Sequence, residues 1–166
     1  MDGSCHILVV EDDSALAELL QEYLSESDYH ITLHTRGDSA LEHLERERFD
    51  LVLSDIVLPG ADGISILRRV TAEYTPEQTL VLLMTGYSGI DDALHAVEKG
   101  AYDFVSKPFR LPEIRVRLDN ASRYQRLLRQ RQAIEQEEGQ AGVSLQPGHR
   151  VGDRSAVQAY IRTGAA

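Results

Sequence analysis

Ile7-Leu-Val-Val-Glu-Asp-Asp-Ser-Ala-Leu-Ala-Glu-Leu-Leu-Gln-Glu-Tyr-Leu24 holds the key to the fold. Its first four residues are apolar without alternation, as in a strand covered on both faces. Leu16, Leu19, Leu20, Tyr23 and Leu24 then fall at i, i+3, i+4, i+7 and i+8, the period of a helix. The same change of period recurs along the chain. Ile31-Thr-Leu33, Leu51-Val-Leu53, Leu80-Val-Leu-Leu-Met84 and Tyr102-Asp-Phe-Val105 read as four more strands. Ala40, Leu41 and Leu44, then Leu67, Val70 and Tyr74, then Ile90, Ala93, Leu94 and Val97 supply helices between them. Apolar strands separated by helices imply an α/β protein with a parallel sheet covered on both faces, and right-handed crossovers leave few topologies. The expectation is a doubly wound, five-stranded parallel sheet of order 2-1-3-4-5, with its ligand site beyond the carboxyl ends of the strands at the switch point.

The chain has 166 residues and 42% hydrophobic content, enough for one domain of ordinary size and an appendage. Its formal charge is −10, which argues against nucleic-acid binding by the chain as a whole. Residues 1–110 carry 8 basic and 21 acidic groups, whereas residues 111–166 carry 9 and 6, so an acidic module precedes a mildly basic tail. A single cysteine, Cys5, excludes an internal disulfide and reads as a small apolar residue at a strand entrance. Met1-Asp2-Gly3-Ser4 leads into too few apolar residues for a signal peptide or membrane span, and the expected setting is cytoplasmic.

Leu111-Pro112 opens a different region, because proline is tolerated in the first turn of a helix. No Gly or Pro interrupts the chain from there to Glu138, a helix of about 27 residues and roughly 40 Å. The domain reading is a unit over 1–125, a helical extension over 126–138, and a linker or tail over 139–166 marked by Gly139, Gly142, Pro147, Gly148 and Gly152. Val157–Arg162 has the makings of one or two further helical turns. Ile114, Leu118, Ala121 and Leu128 form an apolar stripe, extended by Leu127 and Ile134, with arginines beside it. The arginines lack a recognition-helix unit or stacking aromatics, so a solvated face or a protein interface is the reading. The six histidines show no metal-ligand spacing and no partner for nucleophilic catalysis; they read as surface or strand-edge residues.

Chemistry gathers at four strand ends: Glu11-Asp12-Asp13, Asp55, Thr85-Gly86 and Ser106-Lys107-Pro108-Phe109. In a switch-point geometry these ends converge. Carboxylates within a few ångström repel by several kcal/mol per pair at an effective dielectric near 20, so the cluster calls for a hard dication, of which Mg²⁺ is the natural guest. A dication there offsets the charge that keeps a phosphoryl donor from a carboxylate nucleophile, and a lysine and a hydroxyl from the neighbouring strands supply the other phosphoryl contacts. The plainer reading of each residue is also open. An acidic run after a strand is what a helix N-terminus looks like, and Asp13 or Ser14 is expected to cap the first helix. Thr85 alone is an ordinary strand-end residue, and Lys107 alone a solvated charge.

Leu8-Val-Val-Glu-Asp-Asp13, Leu53-Ser-Asp-Ile-Val-Leu-Pro-Gly-Ala-Asp-Gly63, Met84-Thr-Gly86 and Val105-Ser-Lys-Pro-Phe109 occur in order and at family spacing. With them, residues 5 to 125 resemble the receiver (CheY-like) domain of bacterial two-component response regulators, whose fold is flavodoxin-like. The resemblance implies that Asp55 accepts a phosphoryl group from a sensor histidine kinase. It implies Mg²⁺ held by Glu11, Asp12, Asp55 and the backbone carbonyl of Val57, and Thr85 and Lys107 touching the phosphoryl group. It further implies a cis Lys107–Pro108 peptide and an aromatic switch position at Phe104, where many members carry Tyr. Such a domain is no enzyme in the ordinary sense, since it catalyses only its own phosphorylation and dephosphorylation.

Other classes fit less well. A flavodoxin-like cofactor binder needs a Ser-, Thr- and Gly-bearing loop after its first strand, where Glu11-Asp12-Asp13 repels a phosphate. A phosphohydrolase with an Asp nucleophile wants an acid two residues beyond it, where Val57 stands. A phosphorylation-independent adaptor would lack Asp55 or Lys107. His149-Arg-Val-Gly-Asp-Arg-Ser-Ala-Val-Gln158 is similar to the entry of the ATPase domain in sigma-54 (NtrC-like) activators, although no Gly-rich phosphate loop follows before Ala166. The two output readings are therefore the receiver portion of a multidomain regulator and a stand-alone regulator that binds a protein partner. The partner face is expected on the fourth helix, fifth strand and fifth helix, with Asp103 and Arg117 at the interface and a second copy as one occupant.

Overall fold

The computed structural model describes residues 4–86 and 89–140. The readings made for Met1-Asp2-Gly3, for the tail from residue 141 onward, for Val157–Arg162 and for the similarity over residues 149–158 lie outside the described residues. In chain order the elements are β1 (Cys5–Val10), α1 (Ser14–Ser25), β2 (Tyr29–His34), α2 (Gly37–Arg46), β3 (Leu51–Asp55), α3 (Gly63–Glu73), β4 (Leu80–Thr85), α4 (Ile90–Glu98), β5 (Asp103–Ser106) and α5 (Leu111–Gln140). The strands form one parallel sheet of order β2-β1-β3-β4-β5, as expected.

The strands alternate their buried side chains between two helical layers. Leu8, Val10, Val52, Val81 and Leu83 pack with Ala40, Leu44, Ile66, Leu67, Val70, Ala93 and Ala96 of α2, α3 and α4. Ile7, Val9, Leu51, Leu53, Leu82 and Met84 face Leu20 and Leu24 of α1 and Ile114, Leu118 and Ala121 of α5. Central β3 and β4 are buried at every position, and there the apolar runs marked the strands well. Edge strand β2 is longer than its run suggested, because register pairs His6 with His30 and Val10 with His34 on a strand that stays partly exposed and so carries polar residues without penalty. The rings of His6 and His30 stack across that pair, 4.8 Å between centroids. Cys5 at the mouth of β1 is partly covered; burial, with Asp50 nearby, pushes its thiol up to about 12.

Asp13 caps α1, accepting hydrogen bonds from the N–H groups of Ala15 and Leu16 at 3.1 and 3.2 Å. The first compact unit spans Met1–Arg129 and ends inside α5. On α5 the buried face runs Ile114, Leu118, Ala121 and then Gln125, whose amide donates to the carbonyls of Asp50 at 2.9 Å and Pro76 at 3.1 Å. One turn on, Arg129 donates to the Glu77 carbonyl and to Asp50 Oδ1, both at 2.7 Å. The buried stripe thus ends in a polar clamp, and Leu127 and Ile134, the residues read as its extension, are 62% and 55% exposed. The second unit begins at Gln130; its described residues are the closing turns of α5, where Arg131 and Glu135 form an ion pair at 3.5 Å and helix continues through Gly139. No helix among the described residues is long and apolar enough to cross a membrane.

Candidate functional site

Each parallel strand delivers its last residue to the same edge of the sheet, and the four sequence-marked ends arrive there on β1, β3, β4 and the turn after β5. Glu11 follows β1 and is fully buried; its backbone N–H donates to the His34 carbonyl at 3.0 Å, holding it beside β2. Its Oε2 accepts from the Asp13 N–H at 3.0 Å, and its Oε1 faces the cleft. Asp12 is exposed. Asp55 closes β3 with little exposure, and its Oδ1 accepts from the Val57 N–H at 3.3 Å. The chain turns tightly behind it: Gly63 donates to the Ile56 carbonyl at 2.8 Å, and a Cβ on Gly63 would lie 2.2 Å from the Asp55 carbonyl oxygen. Only glycine lets α3 begin so close to the strand end. Val57 itself is 76% exposed.

Lys107 joins two of these groups. Its Nζ donates to Glu11 Oε1 at 2.5 Å and to Asp55 Oδ2 at 2.7 Å. Burial pulls the Lys107 ammonium down, but the hydrogen bonds to Asp55 and Glu11 outweigh it and hold its pKa above the ordinary value. Burial raises the Glu11 carboxyl above the usual carboxylate range, with the Lys107 hydrogen bond working against it. The Lys107–Pro108 peptide is cis, and the Lys107 N–H donates to the Thr85 carbonyl at 2.7 Å, which ties the turn after β5 to the end of β4. Thr85 is buried, and its hydroxyl donates to the Gly86 carbonyl at 3.1 Å. Phe104, in β5, is partly buried and packs on the α2–α3–α4 side of the sheet.

One ligand atom from each of Glu11, Asp12 and Asp55 lies within 4.8 Å of the other two. The set is all carboxylate, with no imidazole or thiolate, which suits a hard, oxygen-seeking dication such as Mg²⁺ and not zinc. The placement of Lys107 makes the same point: a positive charge sits between two of the three carboxylates, where the local field requires one.

Asp103 and Arg117 lie apart from the acidic cleft, at the start of β5 and in α5, and they meet within the chain at 2.6 Å. Arg117 also approaches Glu113 at 3.7 Å, while its Nε is buried without a hydrogen-bond partner. Exposed Ile90, Leu94, Val97 and Val116 accompany them on α4 and α5. Sequence reasoning missed the clamp of Gln125 and Arg129 on Asp50. A glutamine one turn after Ala121, in phase with the buried stripe, was the available signal. The histidines read as surface or strand-edge residues; His34 does lie on edge strand β2, and its Nε2 is 2.9 Å from Nδ1 of His43, whose ring packs on Phe49.

Residues 7–119 match the family model described as the response regulator receiver domain. The chain is 37% identical to the uncharacterized transcriptional regulatory protein YkoG of Bacillus subtilis over 118 residues, covering 71% of this chain and 51% of YkoG. It is 32% identical to the transcriptional regulatory protein FixJ of Bradyrhizobium diazoefficiens over 145 residues, 87% of this chain and 70% of FixJ. The crystal structure of full-length FixJ from B. japonicum superposes with a TM-score of 0.70 at 31% identity, over 86% of this chain and 70% of that one. The chain thus spans about half the length of YkoG and somewhat more of FixJ.

Proposed function

The chain belongs to the response regulator receiver domain family, and from that premise we propose that it accepts a phosphoryl group on Asp55 from a sensor histidine kinase in the cytoplasm and transmits the change to a protein partner. The observation that carries this reading is the position of Asp55: a strand-end carboxylate within 4.8 Å of two others and held by the ammonium of Lys107 at 2.7 Å. In the transfer, an Asp55 carboxylate oxygen forms a bond to phosphorus as the bond to the donor's leaving atom breaks and its electron pair departs with the donor. Glu11, Asp12, Asp55 and the Val57 carbonyl are the groups that would hold Mg²⁺. When bound, the dication supplies the positive charge that lets phosphoryl oxygens approach these carboxylates.

Lys107 moves its hydrogen bond from Asp55 to the arriving phosphoryl oxygens, and Thr85 gives up its bond to Gly86 to donate to them. Loss of the Thr85 bond frees the start of α4, and Phe104 follows by a change of rotamer against the α4 side of the core. The partner-binding face is then α4, β5 and the first turns of α5, with Asp103 and Arg117 exchanging their mutual contact for one across an interface. Incubation with Mg²⁺ and a small acyl phosphate is expected to add one phosphoryl group to the intact chain, read by mass spectrometry and mapped to Asp55. Labelling of Asp55→Asn to wild-type stoichiometry would refute the assignment.

A further inference from the structure

Thr85 has its hydroxyl in a place that only glycine leaves open. A Cβ built on Gly89, the residue that precedes α4, would stand 2.1 Å from Thr85 Oγ1, a separation that real Cβ atoms essentially never show. The same hydroxyl donates to the Gly86 carbonyl at 3.1 Å, and the Gly89 N–H donates to that carbonyl, also at 3.1 Å. Two donors therefore converge on one acceptor, and the hydroxyl is seated between the Gly86 carbonyl and the bare Cα of Gly89. Its one proton is committed there. Backbone freedom does not explain glycine at this position, since φ −100° and ψ 9° are open to other residues. Capping does not explain it either: Asn, Asp or Ser is favoured ahead of a helix, and Gly89 makes no side-chain cap. At Gly86, by contrast, an added Cβ would meet nothing within 4 Å.

We propose that Gly89 is a positioning residue that parks the Thr85 hydroxyl on the β4–α4 turn, and so sets how readily Thr85 turns to meet an anion at Asp55. The proposal rests on Asp55 being the phosphoacceptor. Filling the seat evicts the hydroxyl, because a threonine relieves a close contact by moving to another staggered χ1 rotamer, whereas the backbone on either side is tied into β4 and α4. The Gly89→Ala chain then binds a phosphoryl mimic more tightly, since Thr85 no longer gives up a hydrogen bond to reach it. The gain is on the order of three- to tenfold, the worth of one neutral hydrogen bond.

The test has two parts on the full chain. Three-bond NMR couplings to the Thr85 methyl report its χ1 without any ligand: they are expected to differ between wild type and Gly89→Ala, and unchanged couplings overturn the seat. Titration with beryllofluoride in Mg²⁺, followed by amide NMR, then measures affinity in a double-mutant cycle. Gly89→Ala is expected to tighten binding three- to tenfold in the wild-type and Thr85→Ser backgrounds and to have no effect in Thr85→Ala. An equal shift with and without the hydroxyl means that Gly89→Ala acts through helix propensity or the unfolded chain, and overturns the proposal. A wild-type chain that ignores beryllofluoride refutes the assignment of Asp55 instead, and the couplings still decide what Gly89 does.

Discussion

Lys107 is the residue on which the acidic site turns in the absence of metal, because its ammonium satisfies Glu11 and Asp55 at once. It therefore competes with any dication for the same oxygens. Mg²⁺ is expected to bind the Lys107→Ala chain more tightly than wild type, by calorimetric titration, even though that chain should couple phosphorylation poorly to the β4–α4 turn. Asp12→Ala should bind Mg²⁺ at least about tenfold more weakly, since it deletes one oxygen ligand from a small site intolerant of poor geometry. An unchanged affinity in Asp12→Ala would place the metal elsewhere. Without Mg²⁺, Lys107→Ala should also lose about 1–3 kcal/mol in urea unfolding, because the buried Glu11 carboxyl loses its cationic hydrogen-bond partner. The carboxylates and Lys107 were legible in the sequence because each sits directly after an apolar run, where the parallel sheet brings them together. The bridging of Glu11 and Asp55 by one ammonium depends on a rotamer that joins Lys107 to residues 96 and 52 positions away, and the seat of the Thr85 hydroxyl on a χ1 choice against Gly86 and Gly89; a single sequence carries no signal for either.

Helix α5 is held about four to five turns from its start by Gln125 and Arg129, as well as by the buried residues of its earlier turns. Burial pushes the Asp50 carboxyl up, yet hydrogen bonds from the His6 N–H and from Arg129 outweigh it and hold the pKa below the ordinary carboxylate value. Since the folded-state value is the lower one, the folded chain binds fewer protons here than the unfolded chain. The contribution to stability is therefore complete above the unfolded value near 4 and is lost as pH falls through the folded one. Arg129→Ala should cost about 1 kcal/mol at neutral pH, a modest figure because the guanidinium is partly exposed, and should raise the midpoint of acid unfolding followed by circular dichroism. Gln125→Leu keeps the buried volume but takes the donor from the Pro76 carbonyl and one of the two donors, the other being the Leu80 N–H, from the Asp50 carbonyl, so it should destabilise by about 1–3 kcal/mol and not stabilise as an apolar core substitution would. The absence of Gly and Pro after Pro112 revealed that α5 is long, but its expected end at Glu138 was too early, since the helix continues through Gly139 to Gln140. Periodicity did not reveal where the helix leaves the body, because polar residues end the stripe by bonding inward, and a pattern of apolar positions reads them as solvent.

For the molecule as a whole, the first compact unit extends to Arg129, and the clamp explains why. A chain ending at Arg129 is expected to unfold at the same urea midpoint as the full chain. One ending at Asn120 loses buried Ala121 and Gln125 with the Arg129 contacts, and should be less stable by roughly 3 kcal/mol. Equal midpoints for the two truncations would show that the clamp contributes nothing. The topology was legible, because alternating periods and right-handed crossovers left few arrangements and the family resemblance favoured this one; the ends of edge strand β2 were not, because its polar residues pair without an apolar run. The sole cysteine of the whole chain stands at the mouth of β1, and with its thiol pushed up to about 12 it is almost entirely protonated at neutral pH. The native sequence is accordingly ready for spectroscopy: a cysteine introduced on the exposed face of α4, at Leu94 for example, should take a maleimide dye or spin label at pH 7 well before Cys5 reacts, so distances to α4 can be measured without first removing the natural thiol.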